Sequence, residues 1–124
     1  MRPRCILRRR RLPEAGEVVV ADFPGVMGTK RRPAVVLSSE TYHGARPDVI
    51  VGLITSQTAA AIGPTDYALR DWAQAKLRVP SAFRAFISTI PKTHVAVTIG
   101  RLSEADWVAV KSRVRTALTE LGVE

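Results

Sequence analysis

Two short runs hold the side chains with most chemistry to offer. Lys30-Arg31-Arg32-Pro33 sets three cations before a proline and the apolar run Ala34-Val35-Val36-Leu37. Proline crowds the helical region of the residue before it, so Arg32 is pushed towards extended backbone at the mouth of a strand. A guanidinium there stays near the core yet meets solvent, and it grips a phosphate through two parallel hydrogen bonds. Thr55-Ser56-Gln57 follows a second apolar run, Val49-Ile50-Val51-Gly52-Leu53-Ile54. Strand ends are where a rigid core holds a side chain within reach of a ligand. A hydroxyl there can bond to a phosphoryl oxygen or relay a proton, and a glutamine amide can read a base edge. Each run has a plainer alternative: a solvated basic turn for the first, a strand-to-loop transition for the second.

Together the two runs suggest one chemistry. RNA carries its own nucleophile, the 2′-hydroxyl beside the scissile phosphate. A protein can cleave it by aligning that hydroxyl and stabilising the developing negative charge. In this reading Arg32 binds the equatorial phosphoryl oxygens and Thr55 bonds to the phosphate or the attacking oxygen. A guanidinium with a pKa above about 12 is a poor general base, so charge stabilisation is its assignment.

Other chemistries are poorly supplied. No GxxxxGK[ST] or GxSxG occurs, and no GxGxxG opens a helix. His43 and His94 stand far apart without a carboxylate cluster and read as ordinary surface histidines, although a histidine pair could also cleave RNA by acid–base catalysis. Cys5 is the single cysteine, which excludes an intrachain disulfide and a thiolate-rich metal site. No metal or cofactor is expected. No stretch of about 18 apolar residues exists and the N-terminus lacks a secretory pattern, so the expectation is a cytoplasmic protein without a membrane span.

The net charge of +8 over 124 residues is unevenly spread. Arg2, Arg4, Arg8, Arg9, Arg10 and Arg11 form an arm without an acid, while the remainder carries 13 cations against 11 acids. Residues 1–13 read as a basic arm and 14–124 as a single domain. The arm suits electrostatic binding of nucleic acid, a disordered tail or an over-long translation start.

Strands are expected at 17–23, 33–38, 48–54, 67–72, 83–90 and 94–101, with loops at 26–31, 40–47 and 59–64 and weak helical character at 73–76. The 26–31 loop is expected to be mobile. A C-terminal helix is marked by Ser103 with Asp106, a capping box in which the acid replaces the usual Glu or Gln. Trp107, Val110, Val114, Ala117, Leu118 and Leu121 share its apolar face, and Gly122 is the expected C-terminal cap. Trp107 reads as core, Arg101 as structural, and Asp22 as an ion-pair partner of Arg31 or Arg32. Arg84 and Ser81 follow the weakly helical stretch, where Arg84 can contact RNA or form a surface salt bridge. The fold class is mainly β: a small, strongly bent antiparallel sheet or barrel with the C-terminal helix packed on it.

Four pieces carry a family resemblance through their order and spacing. They are Gly16-Glu17-Val18-Val19-Val20-Ala21-Asp22-Phe23-Pro24, Lys30 to Ser38, Asp48 to Gln57, and Ile99-Gly100-Arg101-Leu102-Ser103. The chain resembles the MazF/PemK/Kid toxins of bacterial type II toxin–antitoxin pairs. The resemblance implies an SH3-like barrel, a homodimer, and a ribosome-independent endoribonuclease that cuts single-stranded RNA at a short sequence without a metal. It implies Arg32 and Thr55 as the catalytic pair, leaving a 2′,3′-cyclic phosphate and a 5′-hydroxyl. Ser56 and Gln57 fall where the family lines its RNA groove. Lys30 and Arg31 fall in a flexible loop that covers RNA and is displaced or occupied by the antitoxin. The implied partner is a cognate antitoxin with an acidic, amphipathic C-terminal segment. The long arginine arm and the short loop at 24–29 depart from the family pattern. Two rivals share the fold: a non-catalytic toxin that poisons a protein target such as DNA gyrase, and an SH3-like nucleic-acid-binding module. The joint presence of Arg32 and Thr55 argues against the first.

Overall fold

A computed structural model describes residues 13–25, 28–60 and 63–119. The arginine arm, apart from Pro13, lies outside them, as do Leu121 and Gly122. Six strands follow in chain order: β1 (Glu17–Gly25), β2 (Gly28–Val36), β3 (Asp48–Thr55), β4 (Tyr67–Ala68), β5 (Ala82–Pro91) and β6 (Val95–Arg101). Among the described residues two α-helices, the short α1 (Glu40–Ala45) before β3 and α2 (Glu104–Leu118) at the end, and two 3-10 turns, Thr58–Ala60 and Lys92–His94, complete the elements. The strands form one antiparallel sheet in the order β4-β5-β3-β2-β1-β6. The expected bent sheet with a C-terminal helix is the observed fold. No helix among the described residues is long and apolar enough to cross a membrane.

Valine-rich central strands explain why the sheet is buried on both sides. Side chains alternate between faces. Val19, Ala21 and Phe23 of β1 meet Ala34 and Val36 of β2 and Val49, Val51 and Leu53 of β3 in one core. Val18, Val35 and Ile54 point the other way, into a second core with Phe83, Leu102 and Val110 of α2. Both faces demand apolar residues, which is why these strands read as continuous apolar runs. Curvature comes from irregular registers. The β3–β5 pairing jumps from Gly52–Ile87 to Leu53–Arg84, leaving Ala85 and Phe86 as extra residues on β5. Such bulges bend a strand and sharpen its twist. Gly52 allows the bend, because a Cβ there would overlap the Phe83 ring.

Four local expectations are corrected. Residues 28–31 are strand, because Thr29 to Arg32 pair with Pro24 to Ala21 in a long hairpin; of the expected loop only Val26 and Met27 lie outside the described residues. Residues 40–45 are helix, capped by Ser39, whose hydroxyl accepts from the Tyr42 N–H at 3.2 Å. The strand expected at 67–72 stops at Ala68, since the N–H groups of Arg70 and Asp71 turn to the Asp106 carboxylate at 3.0 and 2.8 Å. The capping box is half formed: Ser103 accepts from the Asp106 N–H at 3.2 Å, but the Asp106 side chain serves this turn instead of returning to Ser103.

The α2 face is also shorter than its pattern. Val110 is buried, and Trp107 and Val114 pack against the second core, whereas Ala117 and Leu118 are exposed. Thr119, in extended conformation, caps the helix. Arg101 is structural as expected, bonding to Glu14 at 2.6 Å and to the Ala15 carbonyl at 3.3 Å.

Candidate nucleic-acid interface

The β2–β3 ladder contains only Ala34–Leu53, Val35–Gly52 and Val36–Val51. It stops beside Pro33, which has no N–H to contribute to a ladder. Extending the same register by two residues sets Arg32 opposite Thr55. Each is therefore the next same-face position beyond the last pair. Arg32 is held on its other side by pairing with Ala21 of β1, and Thr55 by pairing with Ala82 of β5. Two anchored strands thus present a guanidinium and a hydroxyl where their own hydrogen bonding ends.

An open groove of about 790 Å³ begins here, and Arg32, Thr55, Ser56, Gln57 and Arg84 all line it. Five candidates from separate parts of the chain are brought together. The Gln57 N–H donates to Thr55 Oγ1 at 3.1 Å, which turns the hydroxyl proton away from that bond and leaves it free to donate. Arg84 reaches the groove from β5 at the bulge, not from a helix end, and it carries no ion pair among the described residues. Ser81 also lines the groove, but its hydroxyl donates to the Val79 carbonyl at 2.8 Å.

Lys30 and Arg31 are not brought into the groove. Both lie on the hairpin arm, and Arg31 Nε is paired with Asp22 Oδ1 at 3.2 Å across the register Asp22–Arg31. The two histidines stand elsewhere. His94 is exposed in a turn after β5, while His43 on α1 lies 2.5 Å from Ser38 Oγ. Burial holds the His43 imidazole below its ordinary pKa, with Glu40 opposing and Lys92 adding to the shift.

Three groove residues were missed by sequence reasoning. Lys76 and Arg78 come from the segment between β4 and β5, and Phe86 comes from the β5 bulge. The Phe86 ring is 48% exposed and stands edge-on to Phe23 at 5.4 Å between centroids. A Lys-Leu-Arg run just before the Pro80-Ser81 break was the available signal for the two cations. Nothing local marked Phe86, which reads as an ordinary strand residue. The lining thus holds Arg32, Lys76, Arg78 and Arg84 and, among the described residues, no Asp, Glu, His or Cys. Its electrostatics favour a polyanion, and it contains no ligand set for a metal.

A curled antiparallel sheet, a terminal helix and a basic groove at the end of β3 define a MazF-like toxin fold. The chain belongs to the family of PemK-like, MazF-like toxins of type II toxin–antitoxin systems, matching it over residues 14–118. No curated protein sequence matches it. Among solved structures, a mycobacterial endoribonuclease in complex with its cognate antitoxin superposes with a TM-score of 0.70 at 20% identity, covering 86% of this chain and 94% of that one. MazF from Deinococcus radiodurans gives 0.69 at 23% identity, covering 86% and 96%. The Mycobacterium tuberculosis toxin MazF-mt6 gives 0.62 at 23% identity, covering 82% and 94%. At these identities the likeness is one of fold.

Proposed function

We propose that this toxin is an endoribonuclease that cleaves single-stranded RNA without a metal. The observation that carries the reading is the register position of Arg32 opposite Thr55, at the head of a groove lined, among the described residues, by four cations and no acid. The 2′-oxygen attacks phosphorus, its bond forms as the P–O5′ bond breaks, and a 2′,3′-cyclic phosphate and a 5′-hydroxyl result. Arg32 binds two non-bridging oxygens and holds the charge that builds on them. The Thr55 hydroxyl, keeping its proton, donates a hydrogen bond to a phosphoryl oxygen while the Gln57 N–H fixes its orientation. The 2′-proton passes to water in the open groove, and water supplies the proton taken up by the 5′-oxygen. Ser56, Gln57 and Arg84 contact the flanking nucleotides, and Phe86 offers a face for a base to stack on. Lys30 and Arg31 contact RNA from the hairpin arm, Arg31 after exchanging Asp22 for a phosphate.

The partner in this reading is a cognate antitoxin whose acidic segment covers the groove, and the toxin works as a homodimer in the cytoplasm, where its RNA is found. The mycobacterial endoribonuclease was solved in complex with its cognate antitoxin, and a further similar structure from Deinococcus radiodurans is a MazE–MazF complex. The deciding experiment incubates the purified full chain with a long defined RNA in EDTA and maps the ends. Cleavage leaving 5′-hydroxyl and cyclic phosphate ends is expected. Ends bearing a 5′-phosphate, or undiminished cleavage by both Arg32→Ala and Thr55→Ala, would overturn the mechanism.

A further inference from the structure

One residue of the groove has a backbone that its type does not favour. Lys76 has φ +72°, the single positive φ outside glycine among the described residues. The reason is local. Residues 71–75 make one helical turn, with the Ala75 N–H on the Asp71 carbonyl at 3.3 Å. The turn closes through Leu77 N–H to Trp72 carbonyl at 3.1 Å and Lys76 N–H to Ala73 carbonyl at 3.0 Å. This nested pair is the Schellman termination, whose left-handed position belongs by preference to glycine. An L-residue there suffers a Cβ clash that glycine avoids. The turn is firmly seated: Ala75 is fully buried, Leu77 packs on the second core, and a Cβ on Gly100 of β6 would overlap the Ala75 carbonyl. The Lys76 stem runs over Gly100, its Cγ 2.9 Å from where that Cβ would stand. Its ammonium forms no ion pair among the described residues, and the side chain is exposed on the groove that Arg32 and Thr55 head.

We propose that Lys76 is an anchoring residue for the RNA backbone, holding a phosphate next to the scissile one, and that this contact is what the strained backbone position serves. The inference rests on the ribonuclease reading for its substrate. Ammonium is a compact point charge suited to one phosphate, without the forked geometry that would make it read a base. Lys76 is a positioning residue and touches no reacting atom.

The test exploits two effects of opposite sign. Lys76→Gly should raise the melting temperature of the full chain, because glycine relieves the backbone. The same change should weaken binding of a random-sequence 2′-O-methyl single strand, which cannot be cleaved, about 5–10-fold by fluorescence anisotropy. The slope of log K against log salt should fall by about 0.7, the loss of one phosphate contact on a single strand. On cleavable RNA, KM should rise by a similar factor with kcat within about twofold, and Lys76→Arg should restore binding. Unchanged affinity and slope in Lys76→Gly would overturn the anchor. So would a fall in kcat at constant KM, or a lowered melting temperature. If the wild type fails to cleave RNA yet binds the single strand through Lys76, the ribonuclease reading fails and the anchor stands. Cleavage with no dependence on Lys76 leaves the opposite result.

Discussion

Arg32 and Thr55 occupy the first same-face positions beyond Ala34 and Leu53, the last pair of the β2–β3 ladder on that side. Their groups belong to two strands that share a register but, at this point, no backbone hydrogen bonds. If both act on one phosphate, their effects are coupled. Arg32→Ala and Thr55→Ala should each lower kcat, Arg32→Ala by about 10²–10³-fold, as for loss of one preorganised donor. The double variant should be little worse than Arg32→Ala alone in single-turnover cleavage.

Phe86 should matter for binding more than for stability. Its ring is half exposed over the groove, and stacking is worth about 1–3 kcal/mol per base. Phe86→Ala is expected to raise KM about tenfold or more, with Phe86→Trp retaining affinity. Titration of single-stranded RNA into each variant reads this directly.

Asp106 is the polar keystone of the second core, and its side chain is 0% exposed. Its carboxylate accepts from the Tyr67 hydroxyl at 2.7 Å and from the N–H groups of Arg70 and Asp71. Asp106→Ala leaves those donors unmet beneath α2 and should destabilise the protein by about 3 kcal/mol or more. Urea unfolding measures the loss. Tyr67→Phe should cost about 1.5–3 kcal/mol by the same measurement, as it removes one bond to a charged group.

Tyr67 also predicts behaviour in alkali. Burial first, then its bond to Asp106, pushes the phenol up to about 12. The folded state therefore keeps a proton that the unfolded chain loses near pH 10. This contribution is complete below pH 10 and disappears as the pH rises to about 12. Thermal unfolding across that window should show a steeper decline in the wild type than in Tyr67→Phe.

His43 gives the converse dependence. Burial lowers its pKa from 6.5, so the unfolded chain takes up a proton before the folded one does. Its contribution is complete above pH 6.5 and is lost as the pH falls through the lower folded value. Ser38, which accepts from the Ile50 N–H at 3.0 Å and pairs with His43, ties α1 to β3. Stability should decline below pH 6.5 in the wild type, and His43→Gln should flatten that decline in melting curves.

Much of the protein was legible in the sequence where the governing physics is local. The apolar runs of β1, β2 and β3 follow from burial on both faces, and Ser103 marks the start of α2 through its own hydroxyl. The hairpin arm was misread because Thr29, Lys30 and Arg31 are polar. What makes them strand is the register that sets Arg31 against Asp22 across the pair. Helix α1 was missed because six residues with one glycine have little periodicity, and it is held by the Ser39 cap and the Ser38–His43 bond.

A mainly β toxin fold and the candidate pair Arg32 and Thr55 follow from residue order alone. Proline, β-branched runs and strand ends act on their immediate neighbours. What surrounds that pair follows from long-range packing. The groove needed the β2–β3 ladder to stop at Ala34 and β5 to bulge at Phe86. It also needed the 71–77 turn to settle on Gly100, which left Lys76 in a glycine's conformation. Each of these is a close approach between segments distant in the chain, where the space left by one backbone determines what another can present.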